Sequence, residues 1–263
     1  MKKALFLLTA LFTLFASGQD IIPVRMLAAS QSASQTYVGA DAFGWQYSIR
    51  GNEFIKHNDN QSLKFKALTL GKINRVDIQN PLQIVLFYRD FNTAVLLDNQ
   101  LNETARINFS ELEKELIAEA VGLASQNRLW IYDINTQQIG LYGLAQKRFK
   151  TITPPYNSGV KVYHSDYNYF YWVDNKNNYY RVNLFGSVNS LGPVPDFEQV
   201  QLLSANSIIY RKANELLYYN TADNTTQKIK VDEKTFRSFY YTGQILSIFT
   251  DTDIIQYKII LPK

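Results

Sequence analysis

Ile84-Val85-Leu86-Phe87-Tyr88-Arg89-Asp90-Phe91-Asn92-Thr93-Ala94-Val95-Leu96-Leu97 reads as two short strands around a tight polar turn. Ile84 to Tyr88 is rich in β-branched and aromatic residues, Ala94 to Leu97 is apolar throughout, and Asp90-Phe91-Asn92 supplies the turn. Apolar residues follow one another instead of alternating, so both faces of this hairpin must be covered.

The same pattern recurs on either side. Trp45 to Ile49 and Phe54 to Lys56 flank Arg50-Gly51-Asn52-Glu53. Leu129 to Tyr132 and Gln138 to Tyr142 flank Asn135-Thr136. Tyr169 to Val173 and Tyr179 to Val182 flank Asn175-Lys176-Asn177. Ile208 to Arg211 and Leu216 to Tyr219 flank Ala213-Asn214, and Ile245 to Phe249 and Ile254 to Tyr257 flank Asp251-Thr252. Turn centres at Gly51, Phe91, Asn135, Lys176, Ala213 and Thr252 are 40, 44, 41, 37 and 39 residues apart. A period near 40 with four strands per unit is the mark of propeller blades. The expected fold is therefore an all-β propeller of about six four-stranded blades.

Each hairpin has flanking strands, such as Ile73 to Ile78 before the second and Ala105 to Phe109 after it. The sixth repeat lacks its last strand, because the sequence stops at Lys263 soon after Tyr257. A spare apolar strand, Ile22 to Leu27, precedes the first repeat and is expected to pair near Tyr257, closing the ring and removing its sheet edges. The long 44-residue interval holds Ser110-Glu111-Leu112-Glu113, which has the spacing of a capping box and predicts one or two helical turns towards Ile117. An outer-membrane barrel would need strands of ~9–11 residues with one lipid-facing side, and these strands are about five residues long. Paired β-sandwiches would bring a composition break near mid-chain, and none is visible.

Residues 1–18 have the form of a secretory signal peptide. Lys2 and Lys3 are followed by an apolar run to Ala16, and Ala16-Ser17-Gly18 places small residues before a cleavage point at Gln19. The run is about thirteen residues, against the ~20 of a membrane-spanning helix. The expected organisation is a leader over 1–18 and one propeller domain over 19–263, with the mature chain exported to the periplasm or a face of the outer membrane and no transmembrane span after cleavage. Cysteine is absent, so lipid attachment at Cys and disulfides are both excluded, and packing alone must hold the fold. Without Lys2 and Lys3 the formal charge falls from +4 to +2, and no basic block appears, which excludes a nucleic-acid partner.

Motifs for chemistry are sparse. His57 and His164 are about a hundred residues apart, with no metal-binding spacing around either. Asp174-Asn175-Lys176-Asn177-Asn178 has the oxygen-rich look of a calcium loop but lacks its Gly and its closing Glu, and it suits a hairpin turn. No phosphate loop or nucleophile elbow is present, so no cofactor, no metal and no catalytic set is expected. Asp41, Asp77, Asp166 and Glu198 are the carboxylates that could converge from different blades in a lyase or glycosidase.

Aromatic residues are dense, above all between Tyr163 and Phe185. A blade covered on both faces needs large side chains, so most are core. Tyr163, His164, Asp166, Tyr167, Tyr240 and Tyr241, near inner-strand ends and turns, are the candidate binding residues.

The block from Asn80 through Phe91 to Leu97-Asp98-Asn99-Gln100-Leu101, with the Cys-free, Asn-, Lys- and Tyr-rich composition, resembles uncharacterised exported propellers of Bacteroidota. The chain lacks the Trp-Asp pairs of WD40 repeats and the Gly pairs of kelch repeats. The resemblance implies a degenerate six-bladed propeller and brings no catalytic residues. By analogy with propeller subunits of envelope-assembly and secretion machines, it suggests a non-enzymatic interaction or scaffold module with envelope protein partners. A carbohydrate-binding propeller, motivated by the tyrosine-rich loops, and a propeller lyase or glycosidase are the alternatives.

Overall fold

Each expected hairpin forms where its turn residues stand. In the computed structural model, which describes residues 21–31 and 35–262, these hairpins are the middle two strands of six four-stranded antiparallel blades. Blade 1 comprises Thr36–Ala40, Gln46–Arg50, Glu53–His57 and Ser62–Phe65, and blade 2 Arg75–Asp77, Ile84–Tyr88, Thr93–Leu97 and Glu103–Asn108. Blade 3 comprises Ala118–Ala124, Arg128–Asp133, Gln138–Gly143 and Arg148–Thr151, and blade 4 Val162–Ser165, Tyr169–Val173, Asn178–Asn183 and Val188–Pro193. Blade 5 holds Gln199–Ser204, Ser207–Lys212, Glu215–Asn220 and Thr225–Ile229, and blade 6 holds Ser238–Thr242, Ile245–Phe249, Asp253–Ile259 and the N-terminal Val24–Gln31. The protein is a six-bladed β-propeller.

The closing strand pairs as expected, with Met26 opposite Tyr257, but it is offset from Ile22–Leu27. Pro23 cannot donate to a ladder, and the segment divides there. Val24–Gln31 completes blade 6 in antiparallel register, while Ile21–Ile22 pairs in parallel with Lys228–Ile229 at the edge of blade 5. The expected helix is corrected to a single 3₁₀ turn, Phe109–Glu111, capped by Asn108, whose side chain accepts from the Ser110 N–H. Beyond it, Asn92 donates to the Leu116 carbonyl and accepts from the Ala118 N–H. Leu116 is buried between blades 2 and 3, so tertiary contacts take the backbone groups that a helix would have used. The expected signal peptide, 1–18, lies outside the described residues.

The core is a set of layers between neighbouring blades, each side contributing the face of a sheet. Val85, Phe87, Leu96, Val121, Leu129 and Ile131 join blades 2 and 3, and Trp130, Tyr132, Phe170 and Trp172 join blades 3 and 4. Comparable clusters join blades 1 to 2, 4 to 5 and 5 to 6, the last including Ile22. Between blades 6 and 1 the described contacts are thinner: Tyr37 of blade 1 meets Tyr240 and Phe249 of blade 6 at 5.7 and 4.8 Å. The first strands of the blades run side by side around the centre. Their starts mark an upper mouth and their ends a lower mouth.

The Asp174 turn shows how the hairpins are fixed. Its buried carboxylate accepts from the Lys176 and Asn178 N–H groups at 2.8 Å and from the Tyr156 hydroxyl at 3.0 Å. Burial pushes the carboxyl pKa up, but these hydrogen bonds outweigh it and hold it below the ordinary value. A depressed native pKa gives stability that is complete above the unfolded value of about 3.9 and is lost as the pH falls through the native one. Asp174→Ala is therefore expected to lower the melting temperature at pH 7 and to lose less on further acidification than the parent. Parallel melting curves for parent and variant between pH 6 and pH 2.5 would contradict this.

Candidate functional site

The first strands enclose a cavity of about 680 Å³ on the propeller axis. Blades 1, 2, 4, 5 and 6 supply nearly all of its wall, and blade 3 contributes Val121. On the side of blades 2 to 4 the strands are cross-linked instead. Asp77 accepts from the Leu123 N–H of blade 3 at 2.7 Å and from the Gln79 N–H at 2.9 Å. The Tyr163 hydroxyl donates to the Val121 carbonyl at 3.1 Å and also faces the Val121 N–H. Arg75 donates to the Tyr163 carbonyl and lays its guanidinium 4.6 Å from the Tyr163 ring centre.

Two glycines permit this approach of the strands. A Cβ on Gly122 would collide with Ser165 Oγ and lie 3.3 Å from Asp77 Oδ2. A Cβ on Gly39 would lie 2.7 Å from Ile78 Cδ1 and 2.8 Å from the Tyr240 hydroxyl.

Three of the six sequence candidates, Tyr163, His164 and Tyr240, line the channel. Asp166 and Tyr167 sit at the lower mouth, in the turn after the first strand of blade 4. The Asp166 carboxylate is taken by the Asn168 and Tyr169 N–H groups, each at 2.8 Å. Tyr167 is 40% exposed, and its backbone is held by the Gln79 amide, which donates to the Ser165 carbonyl and accepts from the Tyr167 N–H. Tyr241 alternates away from the axis and packs on the core between blades 5 and 6, while Gln201 of blade 5 clamps its backbone with two 2.8 Å bonds.

The sequence reading missed Arg75, Tyr37 and the structural role of Asp77. The available signal was the charged pair Arg75 and Asp77 two residues apart in the strand, which puts both on one face.

His164 stacks on Tyr171, with 6.1 Å between ring centres. Burial, seconded by the Arg75 charge, lowers its pKa below 6.5 against the opposing pull of Asp77 and Asp166. It is neutral at pH 7, and its contribution to stability is lost as the pH falls from 6.5 through the lower native value. Burial likewise raises the Tyr163 and Tyr240 hydroxyl pKa values, so both stay protonated.

Of the four carboxylates considered for catalysis, Asp41 and Asp77 line the same channel and Asp166 lies at its lower mouth, but each of the four is held by protein donors. Asp41 accepts from the Phe43 and Trp45 N–H groups and from the Tyr47 hydroxyl at the lower mouth. Glu198, at the start of the blade 5 inner strand, accepts from the Ala213 N–H and pairs with Arg211 at 3.3 Å. Asp77 and Asp166 are occupied as described. His57 belongs to the third strand of blade 1, away from His164.

No protein-family model matches the chain. No curated protein matches it. Solved structures do. A streptogramin B lyase aligns at 12% identity and TM-score 0.56, covering 89% of this chain and 98% of the other. A chain of the mitotic checkpoint complex aligns at 10% identity and TM-score 0.58, covering 92% and 87%. PorZ, described as an essential bacterial surface component of the type-IX secretion system of Porphyromonas gingivalis, aligns at 12% and 0.50, covering 84% of this chain and 32% of that one. At such identities the likeness establishes the propeller fold, which serves a streptogramin B lyase and a secretion-system component alike. Among the described residues no helix is long and apolar enough to cross a membrane.

Proposed function

We propose that this chain is an exported, non-enzymatic interaction module of the cell envelope, whose partner docks on the lower mouth of the channel. The observation that carries the reading is the rim of that mouth. Phe43, Leu82 and Tyr167, on the loops that follow the inner strands of blades 1, 2 and 4, are exposed by 78, 69 and 40% around the mouth of the cavity. Large apolar side chains on a polar, rigid surface are the make-up of an interface. The engagement of all four carboxylates by protein donors supports binding over turnover. Tyr163, Tyr240 and Tyr241 are occupied by contacts between blades, which removes much of the motive for a sugar-stacking site.

The secretion-system neighbour and the leader-like residues 1–18 support placement in the periplasm or at the outer membrane. Intact-mass measurement of the exported protein is expected to show a chain beginning at Gln19. For the site, Phe43→Ser combined with Tyr167→Ala is expected to reduce cross-linked capture of the native envelope partner about tenfold, the equivalent of ~1.4 kcal/mol, with an unchanged melting temperature. Full capture by the folded double variant would refute the lower-mouth assignment.

A further inference from the structure

The opposite mouth carries a surface of different chemistry. A pocket of about 360 Å³ opens there beside the Arg75–Tyr163 contact. Its wall holds four cations, Lys72, Arg75, Arg89 and Lys161, and a single carboxylate, Glu119. Arg89 and Glu119 satisfy each other at 2.5 Å. Among the described residues, Lys72, Arg75 and Lys161 have no carboxylate within ion-pair distance, and Lys161 Nζ meets only neutral groups, donating to Asn177 Oδ1 at 2.8 Å and lying 4.3 Å from the Phe197 ring centre. Asp77, the acid nearest Arg75 in sequence, is engaged by two backbone N–H groups. The throat therefore holds uncompensated positive charge, with the Arg75 guanidinium fixed in place by Tyr163.

An apolar arc adjoins this throat. Phe91, Ile117 and Ile134 are exposed by 50, 42 and 46% on the upper side of blades 2 and 3. Their backbones adjoin one another. Asn92, next to Phe91, is bonded to Leu116 and Ala118 on either side of Ile117, and the Ile134 N–H donates to the Ile117 carbonyl. The arc meets the throat through Arg89 and Glu119, each two residues from one of its members. Its far side is net acidic, with Glu111, Glu113 and Glu115 against the one cation Lys114 in the loop that leads in from the outer strand of blade 2.

We propose that this upper face is a second docking site, for a polypeptide segment that places acidic side chains in the throat of Lys72, Arg75 and Lys161 and lays apolar residues on Phe91, Ile117 and Ile134. Charge complementarity fixes both the partner and its direction. An acidic group is attracted only at the axis, because the outer loop repels it. Arg suits a carboxylate because its planar fork presents parallel donors. The apolar arc favours a polypeptide over a sugar acid, which would leave those side chains exposed. With one partner below and another above, the propeller would bridge two envelope components. The upper site stands independently of the lower one.

The test pans a random twelve-residue phage-displayed peptide library against the purified protein. The expected winners carry a cluster of Asp or Glu next to apolar residues. Their affinity, measured by calorimetry on synthetic copies, should fall at least tenfold with Lys72→Glu and with Ile117→Asp, each an exposed and foldable change. It should weaken several-fold between 50 and 300 mM salt and be unaltered by Phe43→Ser at the lower mouth. A neutral or basic consensus, no recovered acidic peptide, indifference to both upper-face variants, or equal loss with Phe43→Ser would overturn the proposal. So would polygalacturonate binding at the same residues more tightly than any peptide.

Discussion

Removing residues 19–28 is expected to abolish cooperative folding at 37 °C. The deletion takes Ile22 out of the core between blades 5 and 6, where it lies with Leu216, Ile229, Phe236 and Ile259. Loss of a buried Ile alone costs about 2–5 kcal/mol. It also removes the parallel pairing with Lys228–Ile229 and the Val24–Ala28 part of the ladder with Gln256–Ile259. Several backbone hydrogen bonds vanish, at about 0.5–1.5 kcal/mol each, and a sheet edge is exposed. The sum is comparable with the 5–15 kcal/mol that holds a typical domain together. The thin contact between blades 6 and 1 can supply little compensation, since it rests on Tyr37 against Tyr240 and Phe249. Ile22→Ala is the graded version, expected to lower the melting temperature by about 5–15 °C at 2–4 °C per kcal/mol. A synthetic peptide of residues 19–31 should restore folding of the truncated chain in proportion to its concentration. Equal melting of truncated and parent protein would refute closure by the N-terminal strand.

The ring could be read from sequence because its determinants are local. Turn residues at Gly51, Asn92 and Asn177 take a positive φ, which those residue types tolerate, and they mark each hairpin in the chain itself. Doubly apolar strands such as Ile84–Tyr88 announce burial on both faces. The Ser110 segment misled because a capping box is a local signal, whereas Asn92, eighteen residues away, decides where that backbone bonds. The division at Pro23 was legible in principle, since proline breaks a ladder wherever it stands. The site was harder. Tyr163 and Tyr240 line the channel and Tyr241 the core between blades 5 and 6, a difference that one residue of register decides. Arg75 and Asp77 gain their meaning only from blades 3 and 4, through contacts 46 and 88 residues away in the chain.

Asp77 separates the catalytic reading from the structural one. A general base can be changed to Asn with little effect on the fold, because shape and most hydrogen bonding survive. Asp77 instead presents two acceptor oxygens to two N–H donors, Gln79 within blade 2 and Leu123 across the gap to blade 3. An Asn can accept from one of them, and its own NH₂ then confronts the other donor. Asp77→Asn is therefore expected to destabilise nearly as much as Asp77→Ala. Each N–H left without a partner costs about 1–3 kcal/mol, or about 2–6 kcal/mol for the pair. The Gly122–Ser165 contact beside Leu123 leaves no room for the strands to close over the gap. At 2–4 °C per kcal/mol, a fall of roughly 5–20 °C in melting temperature follows for both variants. An Asp77→Asn protein that melts with the parent, while losing turnover of a glycan, would replace the pin by a base and the binding module by an enzyme.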